Sequence, residues 1–346
     1  MKKPNWQIKF KDLPEIPIEK RWEKGFTHTL EQRLSQKLIQ GGKLTESEQR
    51  TLSKCSLFYA VLYKSLENLD YKKFSTKDLK NFENYLFYAF NYNMYLTNKL
   101  GITRLFRVVI NEHLTGNKDS ITKKGLLTYP PLHIVKKINK FNRANTPRTS
   151  VFYGSETIDT ALNEIKPKKG DVVTVGYWKP NVDREFLSYP ISHSEQAYGI
   201  NDNSTSAVKA FLEFKEKNSK VLGDFMEPYF HLFGREFSKP IEHHYEYLIS
   251  SMFAERILYN QKNTGSSFEI ECIVYPSVGN KFLTSNLAIR KDILRHNFDL
   301  EKVIEFEVAD TYFEKEQKSN PESISLVDYV NLKETKNIDG NNIIWK

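Results

Sequence analysis

The spacing of apolar residues predicts that the first third of the chain is helical. Over the first hundred or so residues they recur at intervals of three and four, which places them on one face of a helix. Four helices are predicted here, at residues 18–39, from residue 45 through residue 66, from residue 75 or 76 to about residue 100, and at 104–113. Thr45 begins the second helix with a capping box, because Glu48 follows three residues later. The polar stretch 114–122 then predicts a domain boundary.

Beyond about residue 126 the pattern changes to short runs rich in β-branched and aromatic residues. Strands are predicted at residues 150–153, 171–178, 268–275, 286–289 and 302–308, and helices at 156–165, 207–217 and 243–260. The tail after Glu314 is polar, and we expect it to be loosely attached. The pattern therefore predicts an α+β fold with three parts: an all-α N-terminal domain at 1–120, a domain with a small β-sheet flanked by helices at 121–315, and a polar C-terminal tail at 316–346.

The composition supports packed domains and suggests where the protein works. The chain of 346 residues is 39% hydrophobic and 13% aromatic, which is ample for packed cores. It has no run of about 18 apolar residues, and its first residues lack the apolar stretch of a secretory signal. The two cysteines, Cys55 and Cys272, suit a reducing compartment. We therefore expect a cytoplasmic protein without a membrane partner.

The charge and the motif search narrow the function classes only partly. Lys and Arg number 51 against 43 Asp and Glu, a net charge of +8 that suits nucleic acid, a phosphorylated small molecule or solubility alone. The sequence contains no dinucleotide-binding or Walker glycine pattern, no hydrolase nucleophile elbow and no zinc-ligand spacing. The adjacent His243 and His244 point to different faces of a helix, so no metal site is predicted.

One stretch combines a loop arginine, a strand tyrosine and a helix glutamate. Arg143 lies in the loop, Tyr153 ends the following strand, and Ser155 is placed to cap the next helix. Apolar residues at positions 158, 161, 162 and 165 form one buried stripe of that helix. Glu164 lies about 60° round the helix from position 161, on the shoulder of the stripe. Its carboxylate can therefore face a cleft and stay ionised.

This stretch resembles the opening motif of the RES-domain family, in which an arginine and a strand tyrosine precede an Ala-Leu-x-Glu helix. Arg143, Tyr153 and the residues from Thr160 to Glu164 match that motif. A second block resembles the second half of the family: a helix from Tyr247, a strand that ends in Tyr-Pro-Ser277, and an asparagine-led strand from residue 286. The two blocks occur in the family's order and cover roughly residues 126–310.

The resemblance implies a fold similar to ADP-ribosyltransferases and an enzyme that breaks the nicotinamide–ribose bond of NAD. It implies catalytic roles for Glu164 and Ser277, and NAD binding by Arg143, Tyr153 and Tyr247. NAD is the substrate, and no other cofactor is implied. Several family members are toxins of toxin–antitoxin pairs, so the resemblance also allows an antitoxin or regulatory protein and self-association as partners, whereas nucleic acid is not an expected partner.

These residue types suit the implied reaction. A guanidinium can bind pyrophosphate in a bidentate manner, and an aromatic face can hold the cationic nicotinamide ring. A carboxylate stabilises the oxocarbenium-like ribose that forms when the bond breaks. Ser277 can hydrogen-bond to the nicotinamide amide, a ribose hydroxyl or a phosphate, and these alternatives stay open. The acceptor also stays open among water, phosphate and a protein nucleophile.

Two other function classes compete with this one. Arg107 and His113 have the loose spacing of the arginine–histidine pair in HEPN-type ribonucleases, in which the two groups would stabilise the phosphate and transfer protons. Some longer RES proteins carry a helical front domain that resembles HEPN domains. A histidine at a helix end also simply complements the helix dipole. The third class is a non-catalytic binding module, in which the front domain holds RNA or another partner.

Overall fold

The computed structural model describes residue 34 and residues 37–38, 40–53, 73–89, 96–192, 201–259, 269–314 and 323–346. The helices are α1 (Thr76–Ala89), α2 (Asn111–Thr115), α3 (Leu132–Ile138), α4 (Ile158–Ile165), α5 (Asp202–Lys217), α6 (Lys220–Ser238), α7 (Leu248–Tyr259) and α8 (Lys291–Asn297). The strands are β1 (Asn98–Leu100), β2 (Leu105–Ile110), β3 (Val151–Ser155), β4 (Val172–Pro180), β5 (Phe186–Pro190), β6 (Cys272–Pro276), β7 (Ser285–Arg290), β8 (Phe298–Glu314), β9 (Ser323–Asp339) and β10 (Asn342–Trp345). Short 3-10 helices lie at Lys124–Leu127 and His244–Tyr247.

The ten described strands form a single mixed sheet in the order β1-β5-β6-β7-β3-β2-β4-β8-β9-β10. All neighbouring strands are antiparallel except β5 and β6, which are parallel. Helices α5, α6 and α7 pack their aromatic and aliphatic residues into one core with β3, β6 and β7. Helix α4 packs against β2, β4 and β8 in a second core. The fold of the described residues is therefore mixed α/β, with helices on a large sheet.

The prediction of a separate all-α N-terminal domain followed by a small sheet is wrong. The segment predicted as a helix at 104–113 is the central strand β2, followed by the short helix α2. Leu105 and Val109 belong to one buried cluster, while Val108 and Ile110 belong to another. Because both faces of this strand are covered, apolar residues lie on both sides of Arg107 with no alternation of apolar and polar positions, which imitates helical spacing over a short window. Strand β1 likewise occupies the end of the third predicted helix.

Several other predicted elements are confirmed. The amide of Thr45 donates to Glu48 Oε2 at 2.7 Å and the amide of Glu48 donates to Thr45 Oγ1 at 3.2 Å, so the capping box is present. It precedes helical residues 46–53. The predicted strands and helices between residues 150 and 308 correspond to β3, β4, β6, β7 and β8 and to α4, α5 and α7. Most of the predicted helix at 18–39, and the second helix after residue 53, lie outside the described residues.

The expectation of a loosely attached tail is wrong for residues 323–346. Strand β9 pairs with β8 in a register from Glu314↔Ser323 to Ile304↔Glu334, and β10 pairs with β9. The tail is polar because these strands lie at the edge of an antiparallel sheet, where solvent reaches exposed side chains such as Asp328 and Lys333. None of the described helices is both long enough and apolar enough to span a bilayer.

The sheet consists of two half-sheets that meet at one residue pair. Strands β2 and β4 share six paired positions, and β3 and β7 share five. Between β2 and β3, however, only Phe106 and Ser155 pair. The later residues of β2 and the earlier residues of β3 therefore do not pair with each other. The predicted site residues lie around this junction.

Candidate functional site

Glu164, Ser277 and Asn286 meet at one carboxylate oxygen. The Ser277 hydroxyl donates to Glu164 Oε1 at 2.5 Å, and Asn286 Nδ2 donates to the same oxygen at 2.8 Å. Ser277 and Asn286 are buried, whereas Glu164 is exposed. The two donors therefore fix the direction of a carboxylate that solvent or a ligand can still reach.

The orientation of Asn286 is set by a further hydroxyl. Ser155 Oγ donates to Asn286 Oδ1 at 2.6 Å, so the amide nitrogen of Asn286 is turned toward Glu164. Asn286 pairs with Ser155 on β3 and with Tyr275 on β6, which places it at the centre of three neighbouring strands. This hydrogen-bonded series holds the carboxylate by rigid sheet backbone, which is more precise than support from a loop.

Local sequence explains why α4 presents Glu164 here. Thr157, and not the predicted Ser155, caps the helix, with its hydroxyl accepting from the amide of Thr160 at 3.1 Å. The helix ends at Lys166, whose φ of 46° is left-handed and stops the helical turn two residues after Glu164. Ala161 and Leu162 are buried against β2, β4 and β8, whereas Glu164, two residues after Leu162 on this short helix, is exposed.

Ser277 is held by the loop that joins β6 to β7. Its amide donates to the Thr284 carbonyl at 2.9 Å, and its own carbonyl accepts from the Phe282 amide at 2.8 Å. The loop lies directly on α4: a Cβ added to Gly279 would stand 2.6 Å from the carbonyl oxygen of Asn163. Only a glycine allows this approach, so the loop and the helix that carry Ser277 and Glu164 are in van der Waals contact.

Tyr153 is anchored at its hydroxyl. The hydroxyl donates to Asn145 Oδ1 at 2.8 Å and accepts from the amide of Ala144 at 2.9 Å. Burial raises the pKa of Tyr153 well above its ordinary value, while the hydrogen bond from Ala144 and the charges of Arg143 and Arg107 act in the opposite direction. Tyr153 is therefore a neutral, fixed ring at the junction of the two half-sheets.

Arg143 and Tyr247 lie against each other. The Arg143 guanidinium carbon is 5.1 Å from the centre of the Tyr247 ring, a cation–π contact. Arg143 Nη1 donates to the carbonyl of Phe237 at 2.6 Å, and both Nη1 and Nη2 contact the carbonyl of Lys239, at 3.4 and 3.3 Å. These carbonyls end helix α6. The predicted pyrophosphate ligand thus already has partners in its own chain.

A buried tyrosine connects these groups. Burial raises the pKa of Tyr275 well above its ordinary value, and the charges of Glu164 and Arg143 also act on it, together with Tyr153 and Tyr247. Charges influence a titrating group in this way only when they lie near it. Glu164 and Ser277 thus form one contact group with Asn286, and Arg143, Tyr153 and Tyr247 form a second one around the turn that carries Arg143. Tyr275 pairs with Asn286, and charges of both groups act on it.

The sequence predicts Arg107 as part of the ribonuclease alternative, but in the structure it lies beside Tyr153. Its Nη1 donates to the carbonyl of Tyr153 at 3.2 Å across the junction. Its Nε is buried without a hydrogen-bond partner, and it forms no ion pair with any carboxylate of the described residues. Burial lowers the pKa of Arg107 to about 10. A half-buried guanidinium that has a buried Nε and no carboxylate partner among the described residues is an arrangement that an anionic ligand would stabilise.

The arginine–histidine pair of the ribonuclease alternative does not share a helix. Arg107 is inside β2, and His113 is exposed on α2. The three strand residues after Arg107 span about 10 Å before α2 begins. Within the described ranges, no group of three or more His, Cys, Asp or Glu side chains is arranged to bind a metal ion.

Asn286 is the site residue that sequence analysis left without a role, although its position at the start of the strand after Ser277 was the available signal. Comparison with known proteins identifies no relative for this arrangement: no family model, no curated protein and no solved structure matches the chain.

Proposed function

We propose that this protein breaks the bond between nicotinamide and ribose in NAD. The observation that supports this most directly is the Glu164 carboxylate, exposed on one side and held at Oε1 by Ser277 and Asn286. A fixed anion of this kind stabilises positive charge that develops on a bound substrate. The resemblance of the surrounding residues to the RES family supports NAD as the substrate.

Cleavage of the bond needs no reagent other than the acceptor of the ribosyl group. The electron pair of the bond between C1″ of the nicotinamide ribose and the pyridinium nitrogen stays with the nitrogen, so nicotinamide leaves as a neutral molecule. The ribose becomes oxocarbenium-like, and Glu164 stabilises that charge. Addition of water and loss of one proton to solvent give ADP-ribose. Phosphate would give ADP-ribose 1″-phosphate, and a protein nucleophile would give ADP-ribosylated protein.

Arg107 is the guanidinium that we assign to the pyrophosphate of NAD. The residue is half-buried with its Nε fully buried, it lacks a carboxylate partner among the described residues, and it donates to the carbonyl of Tyr153. A phosphate oxygen would supply the missing hydrogen-bond acceptor and the missing negative charge. The ring of Tyr153 is assigned to the cationic nicotinamide, since a fixed aromatic face attracts a cation.

Incubation of the purified protein with NAD, with and without inorganic phosphate, tests the proposal. We expect released nicotinamide, and mass spectrometry of the other product identifies the acceptor. The Glu164→Gln variant is the control for contaminating activity. Folded wild-type protein that leaves NAD intact and transfers no label from NAD to proteins of a cell lysate would overturn the proposal.

A toxin or defence role is proposed on the resemblance alone. Loss of NAD stops growth, so induced expression of the wild-type chain should arrest cells, whereas expression of Glu164→Gln to the same level should not. Arrest by both proteins would separate any toxicity from NAD cleavage.

A further inference from the structure

We infer that Arg143 is a positioning residue, which holds Tyr153 in place from the end of helix α6 and does not bind the substrate. This inference rests on the proposed function, because it assigns a role within the same site. It differs from the role that the sequence motif suggests, in which Arg143 binds pyrophosphate.

The Arg143 guanidinium binds the carbonyl end of helix α6. Arg143 is 9% exposed, and its two terminal nitrogens donate to the carbonyls of Phe237 and Lys239. Carbonyls at the end of a helix lack partners within the helix, and a cation is favoured there by the helix dipole. The face of Tyr247 covers the guanidinium at 5.1 Å. Arg143 therefore joins the end of α6 to the 3-10 helix His244–Tyr247.

Arg143 lies in a tight turn that two backbone hydrogen bonds close. The amide of Asn142 donates to the carbonyl of Asn145 at 3.0 Å, and the amide of Asn145 donates back to the carbonyl of Asn142 at 3.3 Å. Arg143 and Ala144 are the two central residues of this closed turn. Fixing the Arg143 side chain to α6 therefore fixes the position of the whole turn.

The same turn binds the hydroxyl of Tyr153. The hydroxyl of Tyr153 accepts from the Ala144 amide at 2.9 Å and donates to Asn145 Oδ1 at 2.8 Å. Both partners of the hydroxyl belong to the turn that Arg143 holds. Displacement of the turn would release the ring that we assign to the nicotinamide, and a misplacement of about 1 Å at a reacting centre costs up to about 10²-fold in rate.

The residue type fits this role. A planar guanidinium offers several donors in a fixed geometry and can reach two carbonyls at once, which an ammonium does less well. With Nη1 and Nη2 used in this way and Tyr247 over its face, the side chain would have to abandon these contacts to bind a phosphate. Arg107 Nη1 donates to the carbonyl of Tyr153 and its guanidinium carbon lies 5.7 Å from the centre of the Phe152 ring, but its buried Nε has no hydrogen-bond partner.

The test compares Arg143→Gln and Arg143→Lys with the matched control Arg184→Gln, which removes an arginine bound to Glu271 away from the site. Hydrogen exchange of the Ala144 amide reports the link to Tyr153 directly and requires no activity. We expect faster exchange of that amide in Arg143→Gln, partial protection in Arg143→Lys and no change in the control. For nicotinamide release, we expect kcat to fall by about tenfold or more with KM within about twofold of wild type.

A double-mutant cycle with Tyr153→Phe completes the test. If Arg143 acts through the tyrosine hydroxyl, the kcat of the double variant should be within about twofold of the kcat of the less active single variant. Should Arg143→Gln not fold, the same cycle is run with Arg143→Lys. A KM raised tenfold at unchanged kcat, with the Ala144 amide still protected, would show that Arg143 is a ligand and overturn the inference. Unchanged exchange in both variants would overturn it even if the wild-type protein left NAD intact, a result that would separately refute the proposed function.

Discussion

The Ser277 hydroxyl lies 2.5 Å from Glu164 Oε1, although 113 residues separate the two in the sequence. One residue follows the end of strand β6 and the other lies near the end of helix α4, so only the folded sheet brings them together. Because the hydroxyl and Asn286 both donate to Oε1, we assign the second oxygen to the proposed substrate.

Replacement of Glu164 by Gln should separate binding from catalysis. The amide keeps the shape of the side chain but loses the charge that we assign to the developing oxocarbenium. We expect NAD binding by calorimetry to be retained and kcat to fall by about 10²–10³. Glu112→Gln, at an exposed acid on α2, is the matched control and should keep full turnover. Loss of binding with turnover per bound substrate retained would contradict the assignment.

Asn286→Asp should move the pH profile of turnover upward. The new carboxylate would replace the Nδ2 that lies 2.8 Å from Glu164 Oε1. Two carboxylates this close share a proton, so the apparent pKa of the pair rises. Glu164 would then become ionised only at higher pH, and the acidic limb of the rate profile should shift by about one pH unit or more. Asn286→Ala should lower turnover without that shift; equal profiles for the two variants would argue against the contact.

Gly279→Ala should weaken the site without touching a proposed catalytic group. The added Cβ would stand 2.6 Å from the Asn163 carbonyl oxygen, which is backbone and cannot rotate away. The loop must therefore move and carry Ser277 away from Glu164, so we expect turnover to fall about tenfold and thermal stability to decrease. Gly101→Ala, where nothing lies within 4 Å of the added atom, should have neither effect. Similar turnover in the two variants would place the loop outside the mechanism.

His244 should make stability fall in mild acid. Its Nδ1 accepts from the amide of Phe141 at 3.4 Å, and burial, with the nearby charges of His243 and Lys140, lowers its pKa below the ordinary 6.5. The unfolded chain therefore takes up the proton first. The stability from this group is present above about pH 6.5 and is lost as the pH falls through the lowered pKa of the folded state. Urea unfolding between pH 8 and pH 5 should show a shallower pH dependence in His244→Gln than in wild type or in the exposed control His113→Gln.

Arg148 should be important for joining α1 to the rest of the fold. It bonds to Glu83 on α1 at 3.1 Å and to Glu255 on α7 at 3.4 Å, and both carboxylates are buried. Arg148→Gln leaves them without a counter-charge, so we expect the free energy of unfolding to drop by about 3 kcal/mol. Arg184→Gln breaks a more exposed ion pair and should cost about 1 kcal/mol or less. Equal small losses in chemical denaturation would indicate that α1 is not held by this triad.

Features that depend on residues close together in the sequence are predicted correctly, whereas features that depend on tertiary packing are not. The capping box of Thr45 and Glu48 depends on residues within one turn, and it is found as predicted. The identity of β2 depends on what covers it. A strand buried on both faces has no alternation of apolar and polar residues, so its helical interpretation was wrong.

By itself, the sequence determined local elements and the types of residue available to the site: an arginine, a tyrosine and a glutamate at fixed separations along one loop, strand and helix. Tertiary structure alone decided what each group touches. It brought Ser277 and Asn286 to one oxygen of Glu164, directed Arg143 to the end of α6, and left Arg107 half-buried beside Tyr153 without a carboxylate partner among the described residues. The physical reason is that helical and strand spacing constrain only near neighbours, whereas these contacts join residues that the order of strands in the sheet sets side by side.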